Sequence, residues 1–484
     1  MRKKQALKWI ALACVGVMLA GCSDQGAVRD AAPSESSAVE ITRQEEGTDG
    51  TQASQGQEND GTQASQGQEN DGKQGQESDE ALTQGSDGTQ TQESEAEAME
   101  DVALEKITVD PMELKSHYEK AAFFADWAYV KKPGNTIVSP MSLNMALGLA
   151  AAGAGGETAA EMNQYLGRED FEAYAKEYMN FADGLAADQG SSKFREGYSF
   201  HYEIANSIWI NQRHRILEDY RKKMEECFHA EVRPGDFGAN APETVQKIND
   251  WCSEKTHGMI PKILSDSDLS DENKAVLINS LYFESPWVNK WALTEDDFTD
   301  FGGNVSTQEM LRGGADQYYE NDKAIAFGKN YYNGFRFIGI LPKMEGEFGL
   351  LDLDLESLLA SESSDYLVRA LMPKLNFNTT ADNLQELLIA QGIKAPFDPN
   401  VAQFDKIIDG EELFISRIIQ KCKIELDDKG TKAAAVTAIT MRANAIAPME
   451  KEIREVLLNR PFAFLIYDSV NEEIVFAGKV TNVK

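Results

Sequence analysis

The sequence predicts an α+β domain built on large, mostly antiparallel sheets and carried behind a long acidic leader. Three observations lead there. The composition shifts sharply near residue 105 of the 484, and beyond it aromatics are frequent and no long Pro/Gly-rich break appears. Helical periodicity then dominates, and in the second half strand patterns replace it; helices first and strands later is the order of an α+β fold.

The leader opens with a basic flank, Arg2, Lys3, Lys4 and Lys8, and a short apolar segment ending in Leu19-Ala20-Gly21-Cys22. That order predicts a signal peptide over residues 1–21. Leu-Ala-Gly-Cys resembles the lipobox of bacterial lipoproteins, in which the cysteine is acylated and becomes the new N-terminus. The resemblance implies a lipid anchor at Cys22, contact with a membrane through that lipid, and a location at the bacterial cell surface or outside it.

Residues 22–105 contain DGTQASQGQEN twice in tandem, from Asp49 and from Asp60, followed by decayed copies rich in Gln, Ser, Gly and acids. With almost nothing apolar to bury, this segment is expected to stay disordered. Between Cys22 and Glu100 stand 19 acidic and 3 basic side chains, a net −16, about half of the whole chain's −33. The acidity therefore belongs largely to a self-repelling stalk, and it argues against nucleic acid as a partner.

From residue 106 to 484 one large domain is expected. DPMELKSHYEKAAFFADWAYV reads as a helix with Leu114, Tyr118, Ala121, Phe124 and Trp127 along one face. AVLINSLYF, FRFIGILP, LVRALMPKLNF, FISRIIQKCKIEL, FAFLIYD and EIVFAGKVTNV read as strands, mixing alternation with fully apolar runs.

Chemistry-bearing patterns are scarce. His117, His201, His214, His229 and His257 are the histidines, and none pairs with another at metal-ligand spacing, so neither metal nor cofactor is expected. No G-x-S-x-G elbow exists. GLAAAGAGGET, Gly148 to Thr158, imitates a phosphate loop, but Glu157 stands where a Lys is needed, and a helix end with a tight turn is expected instead. Of five cysteines, Cys14 and Cys22 lie in the leader; Cys227, Cys252 and Cys422 form no disulfide framework. An enzyme has the least support.

NTIVSPMSLNMALGLAAAGAGGETAAEM, from Asn135, resembles the N-terminal signature of serpins, the serine protease inhibitor family. INDWCSEKTHGMI, AVLINSLYFESPW, LMPKLNFN followed by GIKAPFD, and RPFAFLIYD with IVFAGKV then resemble further serpin segments in the right order. The resemblance implies three β-sheets, eight or nine helices and an exposed reactive loop over about residues 428–456. It also implies that Ser139, Ser142, Asn279 and Trp287 lie at packing points where the central sheet must part. Small hydrogen-bonding groups suit such a place, because they re-pair after a move. Gln420 departs from the pattern, standing where many serpins have a histidine, which keeps donor and acceptor but removes the titratable charge.

DDKGTKAAA, Asp427 to Ala435, resembles the hinge of inhibitory serpins, with Asp428, Gly430, Thr431, Ala433, Ala434 and Ala435 as hinge residues. The resemblance implies that a target serine, or cysteine, protease cleaves the loop and is trapped as a covalent acyl-enzyme while the loop enters the central sheet. Period 2 is consistent with that fate: Thr431, Ala433, Ala435, Thr437, Ile439 and Met441 share one face, Lys432, Ala434, Val436, Ala438, Thr440 and Arg442 the other. The two cationic residues assign the second set to solvent, with Lys432 where the family usually has an acid.

The loop is about six residues longer than is common in the family. Counting forward from the hinge by the family's spacing reaches Asn444-Ala445; counting back from Pro461 reaches Met449-Glu450; Arg442-Ala443 and Ala445-Ile446 stay open. Small apolar residues there suit elastase-like or subtilisin-like proteases, and Arg442 a trypsin-like one. The expectation is a monomeric, surface-tethered inhibitor, the alternative a non-inhibitory serpin fold used as a binding or structural lipoprotein.

Overall fold

The computed structural model describes residues 114, 116–168, 170–187, 200–382, 384–410, 413–431 and 451–483. The expected signal peptide, Cys22 and the stalk lie outside the described residues, as does residues 432–450 of the loop. Among the described residues no helix is long and apolar enough to cross a membrane.

Eight α-helices are present among the described residues: α1 His117–Lys131, α2 Pro140–Ala152, α3 Gly156–Leu166, α4 Phe171–Ala187, α5 Glu218–Phe228, α6 Ala241–Lys255, α7 Leu355–Ala360 and α8 Leu384–Ala390. Helix α1 starts at a reciprocal cap: Ser116 Oγ accepts from Glu119 N at 3.1 Å, and Ser116 N donates to Glu119 Oε2 at 3.0 Å. Its expected face is buried at Ala121, Phe124 and Trp127, but Ala122, Phe123, Ala125 and Asp126 are buried as well. The middle of α1 is packed on every side, so it serves as core and not as an amphipathic cover. Helix α2 ends at Gly153 and α3 begins at Gly156, which makes Gly148 to Thr158 the helix end and turn the sequence predicts.

Among the described residues sixteen strands form three sheets, the number the serpin resemblance implies. The first runs β1 (Thr136–Val138), β16 (Glu473–Val480), β15 (Phe462–Asp468), β9 (Phe335–Pro342), β8 (Ala324–Asn330), β7 (Gln317–Glu320). The second is β14 (Ile453–Leu457), β10 (Leu367–Pro373), β6 (Val305–Ala315), β5 (Ala292–Thr299). The third, the central sheet, is β11 (Leu375–Ala381), β12 (Ile415–Leu426), β13 (Gly430–Thr431), β4 (Ala275–Pro286), β2 (His201–Asn211), β3 (Glu231–Gly235).

LVRALMPKLNF, read above as one strand, divides at Lys374 between β10 and β11, which belong to different sheets. Pro373 has no N–H to donate, so a strand ending there loses nothing from its ladder.

The inner face of β4, with Leu277, Leu281 and Phe283, joins the main core together with β9, β15 and β16 of the first sheet. Its outer face, with Val276 and Ile278, packs with Val245, Ile248 and Trp251 of α6 and with Ile419 of β12 in a second, smaller core. Helix α6 therefore packs on β4 of the central sheet, in a core that Ile419 of the neighbouring β12 completes.

Candidate functional site

Strands β12 and β4 run parallel and are paired directly from Ile415 opposite Ala275 to Gln420 opposite Asn279. Above that pair the direct ladder stops. At the other end, β13 lies antiparallel to both strands, with Thr431 opposite Leu426 and Ser285 and Gly430 opposite Pro286. Lys421–Glu425 and Ser280–Glu284 are left without a ladder partner between them among the described residues. The central sheet thus holds a slot that is closed below and plugged above.

The plug is a tight turn. Asp427 N donates to Gly430 O at 2.9 Å, and Asp427 Oδ1 accepts from Lys429 N at 2.8 Å and Gly430 N at 3.3 Å. A Cβ on Gly430 would stand 2.3 Å from the Ser285 carbonyl oxygen, so only glycine lets the chain come this close to β4. Thr431 is buried, and its Oγ1 lies 2.6 Å from the Tyr331 hydroxyl. Tyr331 stacks on Trp287 at 4.2 Å, and Trp287 holds the turn from the other side, donating from N to Lys429 O at 2.9 Å and from Nε1 to Asp427 O at 2.8 Å. Of Asp428, the turn uses the carbonyl, which accepts from Trp291 N at 3.5 Å.

Closure below the slot rests on one amide. Gln420 Oε1 accepts from Ser139 N at 2.8 Å and its Nε2 donates to Ser139 O at 2.9 Å, tying β12 to the start of α2. Ser139 Oγ donates to Val475 O at 2.7 Å and accepts from Ser142 N at 3.2 Å, capping α2. Asn279 Nδ2 donates to Asn206 Oδ1 at 2.5 Å. Asn279 Oδ1 and Ser142 Oγ are buried with no partner among the described residues. Leaving such groups unpaired costs about 1–3 kcal/mol each.

Ser139, Ser142, Asn279 and Gln420 therefore gather at the lower closure. Trp287 does not join them; it sits beside the plug, at the far end of β4. Ala433, Ala434, Ala435, Arg442, Ala443, Asn444, Ala445, Ile446 and Met449 lie outside the described residues. Sequence reasoning missed Tyr331, a hundred residues from Thr431, because only the fold joins them. It also missed Asp427, although an Asp two or three residues before Lys-Gly is a turn signal.

Two further features stand apart from the slot. Burial pushes the Cys252 thiol up to about 12 and raises Cys422 and Cys227, so all three free thiols are poor nucleophiles. His201, Glu203 and His257, which show no ligand spacing in the sequence, come together on the outer side of the central sheet.

The family model for serpin, serine protease inhibitor, matches residues 122–483. The chain belongs to the serpin family. An uncharacterised serpin-like protein of Thermococcus kodakarensis is 33% identical over 362 residues, covering 72% of this chain and 81% of that protein. The leukocyte elastase inhibitor of Bos taurus is 26% identical over 370 residues, covering 72% and 93%. The thermophilic serpin tengpin in its native state superposes with TM-score 0.63 at 29% identity, covering 78% of this chain and 98% of that one. Serpins are in general protease inhibitors, though some are not. Thyroxine-binding globulin in complex with thyroxine, at TM-score 0.60 and 23% identity over 76% of this chain and 98% of its own, shares the fold alone.

Two substitutions test the two ends of the slot. Tyr331→Phe removes the hydroxyl that Thr431 meets, and is expected to cost about 1 kcal/mol in urea unfolding of the uncleaved protein. Gln420→His restores a titratable ring that must accept from Ser139 N, which only neutral imidazole does. Its folded pKa then falls below the ordinary value of about 6.5. The variant is expected to lose stability, relative to the parent, as pH falls through that value, read as a pH-dependent gap between their urea midpoints.

Proposed function

We propose that this serpin is a suicide-substrate inhibitor of serine proteases, held at a bacterial surface by a lipid on Cys22 and by the acidic stalk of residues 22–105. The observation that carries the reading is the two-residue strand Gly430–Thr431 seated at the mouth of a slot that is otherwise unpaired among the described residues. A strand started there needs only to be continued.

The register of those two residues gives the course of a longer insert. Carried on, it sets Lys432 against Glu284 and Glu425, Thr437 against Asn279 and Gln420, and Met441 against Ala275, where β4 begins. Thr437 would bring a hydroxyl to the unpaired Asn279 Oδ1. Thr431, Ala433, Ala435 and their successors fall on the face of Leu281 and Phe283, in the main core. In that register the opposite set, which the two cationic residues assign to solvent, would not face solvent uniformly: Ala438 would lie level with Ile278 and Ile419, in the small core beneath α6, where small size matters as much as polarity.

The reaction follows. A protease serine attacks the loop carbonyl, an ester forms to its Oγ, the peptide C–N bond breaks, and the downstream chain leaves with a new amine. The upstream chain, now free at one end, inserts; each ladder bond contributes about 1 kcal/mol net, and apolar burial adds roughly 25 cal/mol per Å². The acylated enzyme is dragged to the far end of the sheet and its site distorted before water releases it. Because the sheet is filled at Met441, a cut at Asn444-Ala445 leaves a short link to the enzyme, whereas Met449-Glu450 leaves Arg442 to Met449 as slack. The reading is therefore Asn444-Ala445, with Arg442-Ala443 and Ala445-Ile446 as its neighbours, and elastase-like or subtilisin-like enzymes as targets.

Mixing the protein with elastase or subtilisin is expected to give an SDS-stable complex, with the released C-terminal fragment starting at Ala445 by mass spectrometry. Thr431→Arg, which forces a bulky charge against Tyr331, should turn the inhibitor into a substrate. Loop cleavage by every protease tested, with no complex and no gain in heat stability, would leave the non-inhibitory binding or structural reading instead.

Lys432 offers a finer check. Glu284 is buried and accepts from the Tyr282 hydroxyl at 2.6 Å, and Glu425 is paired to Lys423. A cation inserted between the two acids compensates for the acidic residue the family usually carries. Lys432→Glu places three carboxylates in one row and should raise the number of inhibitor molecules consumed per protease inactivated.

A further inference from the structure

On the outer face of the central sheet, His201 and Glu203 stand two residues apart on β2 and so share a side. His257 reaches them from the turn after α6, where it holds a left-handed backbone at φ 49°. The turn is pinned by Gly258 N donating to Ser253 O at 2.8 Å and His257 N to Glu254 O at 3.1 Å. Glu203 Oε1 lies 2.8 Å from His257 Nε2 and 3.7 Å from His201 Nδ1, and one donor atom from each residue falls within 4.8 Å of the others.

We propose that His201, Glu203 and His257 form a binding site for a borderline divalent transition metal, zinc foremost. With Zn–N of about 2.0–2.1 Å and Zn–O of about 2.0–2.2 Å, tetrahedral ligand atoms lie roughly 3.3 Å apart, inside the range of 2.8 to 4.8 Å seen here. Two imidazoles and one carboxylate select zinc, copper or nickel over calcium and magnesium, which favour all-oxygen sets. Among the described residues the ion pairs of Glu203 are with these two histidines, so no Lys or Arg there competes with a metal for the carboxylate. All three side chains keep access to solvent, which leaves a fourth position for water and a path of entry.

The surroundings suit a cation. The Tyr282 ring lies 4.6 Å from the His257 ring and 5.8 Å from that of His201, and limits how far either can swing. Its hydroxyl is committed to Glu284, whose carboxylate adds negative charge nearby. A bound metal would fasten the end of α6 to β2. Val276 and Ile278 of β4, which share a small core with α6, share it also with Ile419 of β12, so the metal would hold the helix on the β2–β4 side if the strands part. The site stands independently of the inhibitory reading.

The test is a calorimetric titration of the full chain with zinc chloride, alone and in excess magnesium. One tight equivalent is expected in the parent, unaffected by magnesium, together with a rise of several degrees in the thermal midpoint. His201→Ala and His257→Asn, the second chosen because Asn tolerates the left-handed turn, should weaken that equivalent at least tenfold and abolish the midpoint shift. Both variants should melt with the parent in chelator. Weak binding to the acidic stalk is common to all three proteins and does not distinguish them. Variants that titrate like the parent, or a parent that takes up no tight equivalent, would overturn the proposal.

Discussion

The structure depends on a ladder that stops short. Parallel β12 and β4 are joined below by direct pairs ending at Gln420 and Asn279, and above only through Gly430 and Thr431. Between these ends the two facing edges have no direct ladder to each other among the described residues. Backbone donors and acceptors away from water carry a cost unless they are paired, so on the proposed reading a sheet with such edges open would be held away from its most stable arrangement. What holds it is local: one amide clamp at Ser139, and one turn pinned by Asp427, Trp287 and Tyr331.

The two ends do different jobs. Gln420 bonds both the N–H and the carbonyl of Ser139, so β12 cannot move from α2 without giving up two bonds at once. The turn above is already part of the sheet, and Gly430 and Thr431 set the register of whatever follows. A device that resists below and guides above can store a strained state while fixing how it relaxes.

Much of the fold was legible in order along the chain. Apolar strand runs such as AVLINSLYF and FAFLIYD carry their own period, and both are strands here. LVRALMPKLNF was not, because a strand-like stretch with no proline or glycine but Pro373 does not say that its halves enter different sheets. The site divided in the same way. Ser139, Ser142, Asn279 and Gln420 came from a family resemblance and converge; Trp287 came from the same source and stands at the opposite end of β4. Tyr331 and the His201, Glu203, His257 group had no signal at all, since each depends on contacts made only when distant segments fold together.

Helix α6 sets a further constraint on the loop that neither end of the slot explains. It shares a small core with Val276 and Ile278 of β4 and with Ile419 of β12, so that core lies on the line along which the sheet would open. Any strand entering between β12 and β4 must pass beneath it and separate Ile419 from its neighbours. On the proposed insertion the residues arriving there in register would be Ala438 and Thr440, which are small, whereas Lys432, which would fall opposite Glu284, is long and charged. Alternation alone would permit large polar side chains along the whole outer set. On the proposed insertion the cover of α6 would exclude them in the lower half, and this joint demand of pleat and helix would account for the run of Ala, Val and Thr that follows the turn.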